Sequence, residues 1–186
     1  HGDKLSAGGS VAVQGGLEVG SAAVGGDLTA ETLSSGNVDV GGTGRFTGTV
    51  KVDRLRGAVL RLEGPSITAR GVQATSAAHF GASKLQVDAI LAPEVHLDPR
   101  TSGRATVVES QNDLGPNALK GGFRLADYAE MFGDPAPFLA ERGLTPLGDA
   151  VAPPPPAPPP PPVAAAPPPM AAAPKAEPVE IGRAHV

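Results

Sequence analysis

The chain has 186 residues, a net charge of −4, no cysteine, no tryptophan and only 3% aromatic residues. Disulfides, thiolate metal sites and a cysteine nucleophile are therefore excluded, and any core must rest on Val, Leu, Ile and Ala. Residues 1–100 carry nine Lys or Arg against ten acids, residues 101–150 four against seven, and residues 151–186 two against two, so no basic stripe exists and nucleic acid is not an expected partner.

From Val11 to Leu97 the sequence is a ladder of apolar pairs two residues apart: Val11 and Val13, Leu17 and Val19, Val38 and Val40, Val50 and Val52, Leu60 and Leu62, Leu85 and Val87, Val95 and Leu97. Residues two apart share one face of a strand. Counting weaker rungs such as Leu28, Leu33, Phe46, Leu55, Ile67, Val72 and Phe80, the ladder returns every 5.6 residues on average. Short strands joined by tight turns follow, which is the signature of a β-solenoid or of a shaft of intertwined chains. Each buried Val or Leu contributes roughly 1.5–3 kcal/mol, so a thin stacked core is sufficient. Gly-Gly pairs at 8–9, 15–16, 25–26 and 41–42 fall where turns are due, and Thr29, Thr32, Thr43, Thr47 and Thr49 suit the outward face of such strands. His1 already stands inside the repeat, so the expected reading is a fragment whose start lies upstream.

Arg54 to Glu63 alternates charged residues with Leu55, Leu60 and Leu62, a strand with one solvated face, and Pro65 ends it. The repeat resumes through Ile67 to Val87, and Ala92–Pro99 reads as a last extended strand held off helix by its prolines. Residues 101–122 read as a loop connection with one short strand at Ala105–Val108. Residues 123–152 read as a small mixed cap: a helical turn or two over Phe123–Phe132, then a better helix capped by Asp134, opened by Pro135 and closed by Gly143. Fourteen of the 21 prolines lie between Pro153 and Pro178. Residues 153–180 are therefore a Pro/Ala-rich disordered linker without core-forming capacity. Ile181–Val186 reads as the translation of a common sequencing adapter (ATC GGA AGA GCA CAC GTC) and is set aside as an artefact. No apolar run approaches the ~18–20 residues of a membrane span. The fold class is mainly β: an elongated repetitive β-solenoid or trimeric β shaft at 1–100, a small mixed α/β cap, and a disordered tail.

Candidate chemistry is sparse. His1, His79, His96 and His185 are scattered, with no zinc-site spacing. Gly41-Gly-Thr-Gly44 lacks the lysine and the strand–helix context of a phosphate loop and reads as a turn. No cofactor and no metal are expected.

Ala126-Asp-Tyr-Ala-Glu-Met-Phe132 resembles the "ADYAE-(Y/M)-F" element that follows the shaft in phage tail-fibre and appendage proteins. The stretch Gly36-Asn-Val-Asp-Val-Gly-Gly-Thr-Gly-Arg-Phe-Thr-Gly-Thr-Val50 is similar to their Gly-rich repeats, and Leu147-Gly-Asp-Ala-Val151 to the strand that follows the element. This resemblance implies a structural, fibre-forming or surface-displayed protein, a homotrimer, on a virion or outside a cell. In some members the element opens a self-cleaving glutamic-peptidase domain, which makes Asp127 and Glu130 the carried-over catalytic candidates. The acidic, aromatic stretch expected after Phe132 is replaced here by Gly-Asp-Pro-Ala-Pro, so the expectation is no enzyme. A second resemblance is to bactofilins: Leu17-Glu-Val-Gly-Ser-Ala-Ala-Val-Gly-Gly-Asp-Leu-Thr-Ala30 is similar to one of their coils. It implies a cytoplasmic scaffold that polymerises end to end, with three rungs making a coil of about 17 residues. On either reading a partner protein or surface is met through terminal regions beyond this chain.

Overall fold

A computed structural model describes residues 2–112, 114, 122–126 and 128–148. The prolines of 153–178, the adapter-like 181–186, His1, Asp127 and most of 113–121 lie outside the described residues.

Ten strands form one sheet in which every pairing is parallel: β1 (Gly2–Ala7), β2 (Val11–Val24), β3 (Leu28–Val40), β4 (Thr43–Phe46), β5 (Val50–Gly64), β6 (Ile67–Ala82), β7 (Leu85–Leu91), β8 (Glu94–Leu97), β9 (Gly103–Glu109) and β10 (Phe123–Leu125). Paired residues are one coil apart: Val11 with Leu28, Leu33 with Val50, Val50 with Ile67, Ile67 with Leu85. The chain is thus a β-solenoid of about seven turns. The coil repeats every 16–18 residues through Val95, three rungs per turn, and the longer strands bend round two or three sides without a break. Of the two architectures the sequence allowed, the solenoid is the one formed. The expectation that Val and Leu rungs need a second chain to cover them does not hold, because the rungs bury against one another within a single chain.

Each side carries its own inward columns. Side A stacks Leu17, Leu33, Val50, Ile67 and Leu85; side B stacks Ala22, Val38, Leu55, Val72 and Ile90; side C stacks Phe46, Leu62 and Phe80. All are buried. Side C balances volume within each coil. Gly44 stands beside Phe46 and Ala78 beside Phe80, whereas Leu60 stands beside Leu62. A Cβ on Gly44 would lie 3.2 Å from Cε2 of Phe46 and 2.9 Å from Leu60, so the missing side chain is the space that the ring fills. Close packing of this kind is sensitive to a single methylene.

The corners depend on glycine where backbones of successive coils touch. A Cβ on Gly41 would come within 2.3 Å of the Gly25 carbonyl oxygen, and one on Gly25 within 2.7 Å of that of Gly8. At a later corner Thr101, 1% exposed, takes over with its side chain: Oγ1 donates to the Phe80 carbonyl at 3.0 Å and accepts from the Ala82 amide at 3.3 Å. On side C the ladder ends at β8. There the Asn112 carboxamide accepts from the Val95 amide and donates to its carbonyl, both at 2.9 Å, in place of a further strand. An exposed edge is thereby satisfied.

The solenoid does not stop at residue 100. The segment read as a loop supplies β9, paired with β7, and Phe123–Leu125 is β10, paired with β9, rather than the start of a helix. Phe123 is 2% exposed because it continues the side A column above Gly103. The helical cap begins later, as α1 (Tyr128–Phe132) and α2 (Ala136–Glu141). The expected ends of α2 are present: Asp134 Oδ1 accepts from the Ala136 amide at 2.9 Å, Pro135 precedes the first turn, and Gly143 leaves it at φ +66°. Residues 134–148 then lie as a strap against side B. Leu139 and Leu144 are buried on the outward side chains of Ala89, Leu91 and Val107, and Gln73 Nε2 donates to the Thr145 carbonyl at 2.9 Å.

Gly103 has φ +139°, and a Cβ there would fall 1.8 Å from the Leu85 carbonyl oxygen. Gly103→Ala is expected to destabilise the fold by more than about 1 kcal/mol, read as a drop in thermal midpoint. Gly81→Ala, whose Cβ would sit 3.4 Å from the Glu63 side chain, is the control expected to shift it little.

Candidate functional site

Among the described residues no group of three His, Asp or Glu side chains could hold a metal, and no helix is long and apolar enough to cross a membrane. Gly41 and Gly42 form a solenoid corner and Gly44 lies in β4. Of the two carboxylates carried over by resemblance, Asp127 lies outside the described residues and Glu130 sits on the exposed surface of α1. α1 is held through aromatic contacts. The Tyr128 ring lies 4.9 Å from Phe132 and 4.7 Å from Phe138.

Three outer features carry chemistry. The first is a trough of about 840 Å³ along side A. Its wall has one outward side chain per coil, Glu18, Ser34, Lys51, Thr68, Gln86 and Arg104, because those positions are in register. Hydroxyl, amide and charged groups of both signs alternate along it, with no paired carboxylates of the kind that acid–base hydrolysis requires.

The second is the seat of the strap. Arg142 is its anchor: Nη1 donates to the Phe138 carbonyl at 3.0 Å, Nη2 lies 3.3 Å from Asp88 Oδ2, and the guanidinium centre stands 3.5 Å from the Phe138 ring centroid. Its side chain is only 11% exposed, so these contacts are shielded from solvent. The Arg70–Glu141 pair, 3.2 Å apart with both partners well exposed, contributes less than about 1 kcal/mol.

The third is on side C. The outward residue of four successive coils is Arg45, Arg61, His79 and His96, linked pairwise by strand register. The two imidazoles are stacked, with centroids 4.5 Å apart and planes inclined by 12°. His96 Nε2 lies 3.3 Å from Glu94 Oε2. Burial first, then the neighbouring His96 and Arg61, hold the His79 imidazole below the ordinary histidine pKa, against a smaller opposing pull from Glu94 and Glu63. The two histidines look scattered in sequence. Their separation of seventeen residues is one coil, and that arithmetic is the signal that brings them together.

No family model, curated protein or solved structure matches the chain.

Because the folded-state pKa of His79 is depressed, the unfolded chain takes up this proton more readily. The stability it contributes is complete above the unfolded value of about 6.5 and is lost as pH falls from there through the lowered folded value. The thermal midpoint should decline on acidification from about pH 7 to about pH 5, and His79→Gln should make that decline shallower. An identical slope in the variant would contradict this electrostatic account.

Proposed function

We propose that this protein is a structural scaffold: a rigid β-solenoid that acts by self-assembly and by display of its outer faces, and not by catalysis. The observation that carries the reading is a repetitive single-chain core beside an outer surface of regular, mostly solvated columns. Buried residues make up the interior from Leu17 to Phe123. Repeat architectures of this kind extend by stacking identical units, and parallel coils whose inward columns reach the end of a stack invite further stacking. Leu125, in register with Ala105 at the end of such a column, is 47% exposed.

A coil of about 17 residues closing within one chain favours the bactofilin-like reading, an end-to-end polymer. The fibre-like reading is favoured by a different observation, the placement of the Tyr128–Phe132 element directly after the last solenoid strand. Catalysis has little support. Glu130 stands on an exposed five-residue helix, whereas an acid–base carboxylate needs burial and fixed neighbours to poise it.

Light scattering and electron microscopy of the purified chain test the proposal. Open-ended filaments that shorten or dissolve in Leu125→Glu are the expected result; a sharp trimer would replace this reading with the fibre one. A stable monomer at high concentration would end both. The same samples should keep their intact mass of 18.5 kDa on prolonged incubation, and a fragment cut within 123–148 that disappears in Glu130→Gln would make the protein self-processing.

A further inference from the structure

We propose that the column Arg45–Arg61–His79–His96 is a binding ladder for an extended polycarboxylate, with one carboxylate opposite each coil. The four side chains occupy equivalent outward positions on β4, β5, β6 and β8. Neighbouring parallel strands lie about 4.8 Å apart, so four coils present their cationic or protonatable tips along roughly 14 Å. Like charges directly opposite on a sheet are destabilising, yet the register sets Arg45 against Arg61. Among the described residues neither makes an ion pair. Elsewhere the fold does answer an arginine with an acid from another coil or from the strap, as in Arg54–Asp39 at 3.2 Å and Arg142–Asp88 at 3.3 Å. An external anion supplies at Arg45 and Arg61 what the chain does not. Guanidinium groups take carboxylates in a two-bond fork, which fits the two fixed charges of the ladder.

The histidine half adds acid dependence. His79 faces Arg61 and Glu63 on β5 and His96 and Glu94 on β8. Glu94 holds His96 at 3.3 Å. In neutral solution the ladder carries its two arginine charges. Acidification adds positive charge to the stacked imidazoles, and a carboxylate placed opposite them relieves their mutual repulsion. The flanking Glu63 and Glu94 also decide against a denser polyanion. Duplex DNA brings one charge per ~1.7 Å of axis, several per coil, and these carboxylates would repel it. A carboxylate chain with one charge per coil matches the spacing.

The test is fluorescence anisotropy of the full chain with labelled polygalacturonate and, in a separate arm, labelled polyglutamate, at low salt and at about pH 5 and about pH 8. Binding should be roughly tenfold tighter at the acid pH, and whichever probe binds tighter names the source as glycan or peptide. The double variant Arg45→Gln, Arg61→Gln should lose binding at both pH values. The double variant His79→Gln, His96→Gln should keep the neutral-pH affinity and lose the acid gain. All four positions face outward, and circular dichroism verifies that each variant is folded. Binding to neither probe, undiminished binding by the folded arginine variant, an acid gain that survives removal of both imidazoles, or tighter binding to duplex DNA would each overturn the proposal.

Discussion

The structure depends on one repeated event, the parallel hydrogen-bonded stacking of a coil on the coil before it. Once Val50 lies above Leu33 and Ile67 above Val50, every other position is committed. Inward residues must fill the same narrow space in each turn, corner backbones must pass at contact distance, and outward residues line up in columns. The chain meets these demands with small means. Glycines occupy corners where carbonyls of the previous coil approach within 2.3–2.7 Å of a Cβ position, and a missing side chain at Gly44 or a short one at Ala78 makes room for a phenylalanine two residues on. With 3% aromatic residues, the core is held by uniform aliphatic layers, each too thin to stand without its neighbours.

The same stacking explains why outer-surface chemistry comes in columns. A side chain placed once per coil meets its counterpart about 4.8 Å away, close enough for aromatic stacking, as between His79 and His96, and close enough for like charges to oppose one another, as at Arg45 and Arg61. Side B departs from the solvated pattern where Ala89, Leu91 and Val107 point outward, and there the strap covers them with Leu139 and Leu144. The Arg142 contacts to Asp88 and to the Phe138 ring hold the strap in place. One end of the chain thereby shields an apolar stretch that would otherwise offer a lateral contact.

Much of this was legible in the sequence. The spacing of Val and Leu pairs gives the rungs, three rungs give the coil, and the Gly-Gly pairs give corners. What the period alone could not decide was whether rungs close within a chain or between chains, since both arrangements stack identical pairs. The boundary near residue 100 misled for a physical reason. Gly103 is required by close approach to the Leu85 carbonyl and so looks like loop text, and residues 110–122 separate Phe123 from the rung it continues. The strap had a signal that went unused: Ala89-Ile-Leu-Ala92 is four apolar residues in a row, and such a run marks a strand covered on both faces. The charged ladder was hidden for a simpler reason. Its members lie 16–18 residues apart, and only the coil length turns that distance into contact.

The central claim, that each coil lies directly on the preceding one within a single chain, can be tested by cross-linking, because the natural sequence has no cysteine. Thr68 and Gln86 are outward partners in register on β6 and β7, and adjacent parallel strands about 4.8 Å apart fall inside the roughly 4.4–6.8 Å range of Cα separations that a disulfide accepts. Thr68→Cys combined with Gln86→Cys should therefore oxidise readily to an intramolecular disulfide and run as a single chain without reductant. Thr68→Cys combined with Arg104→Cys, two coils apart, should not. Cross-links between chains, or equal oxidation of both pairs, would contradict the single-chain solenoid.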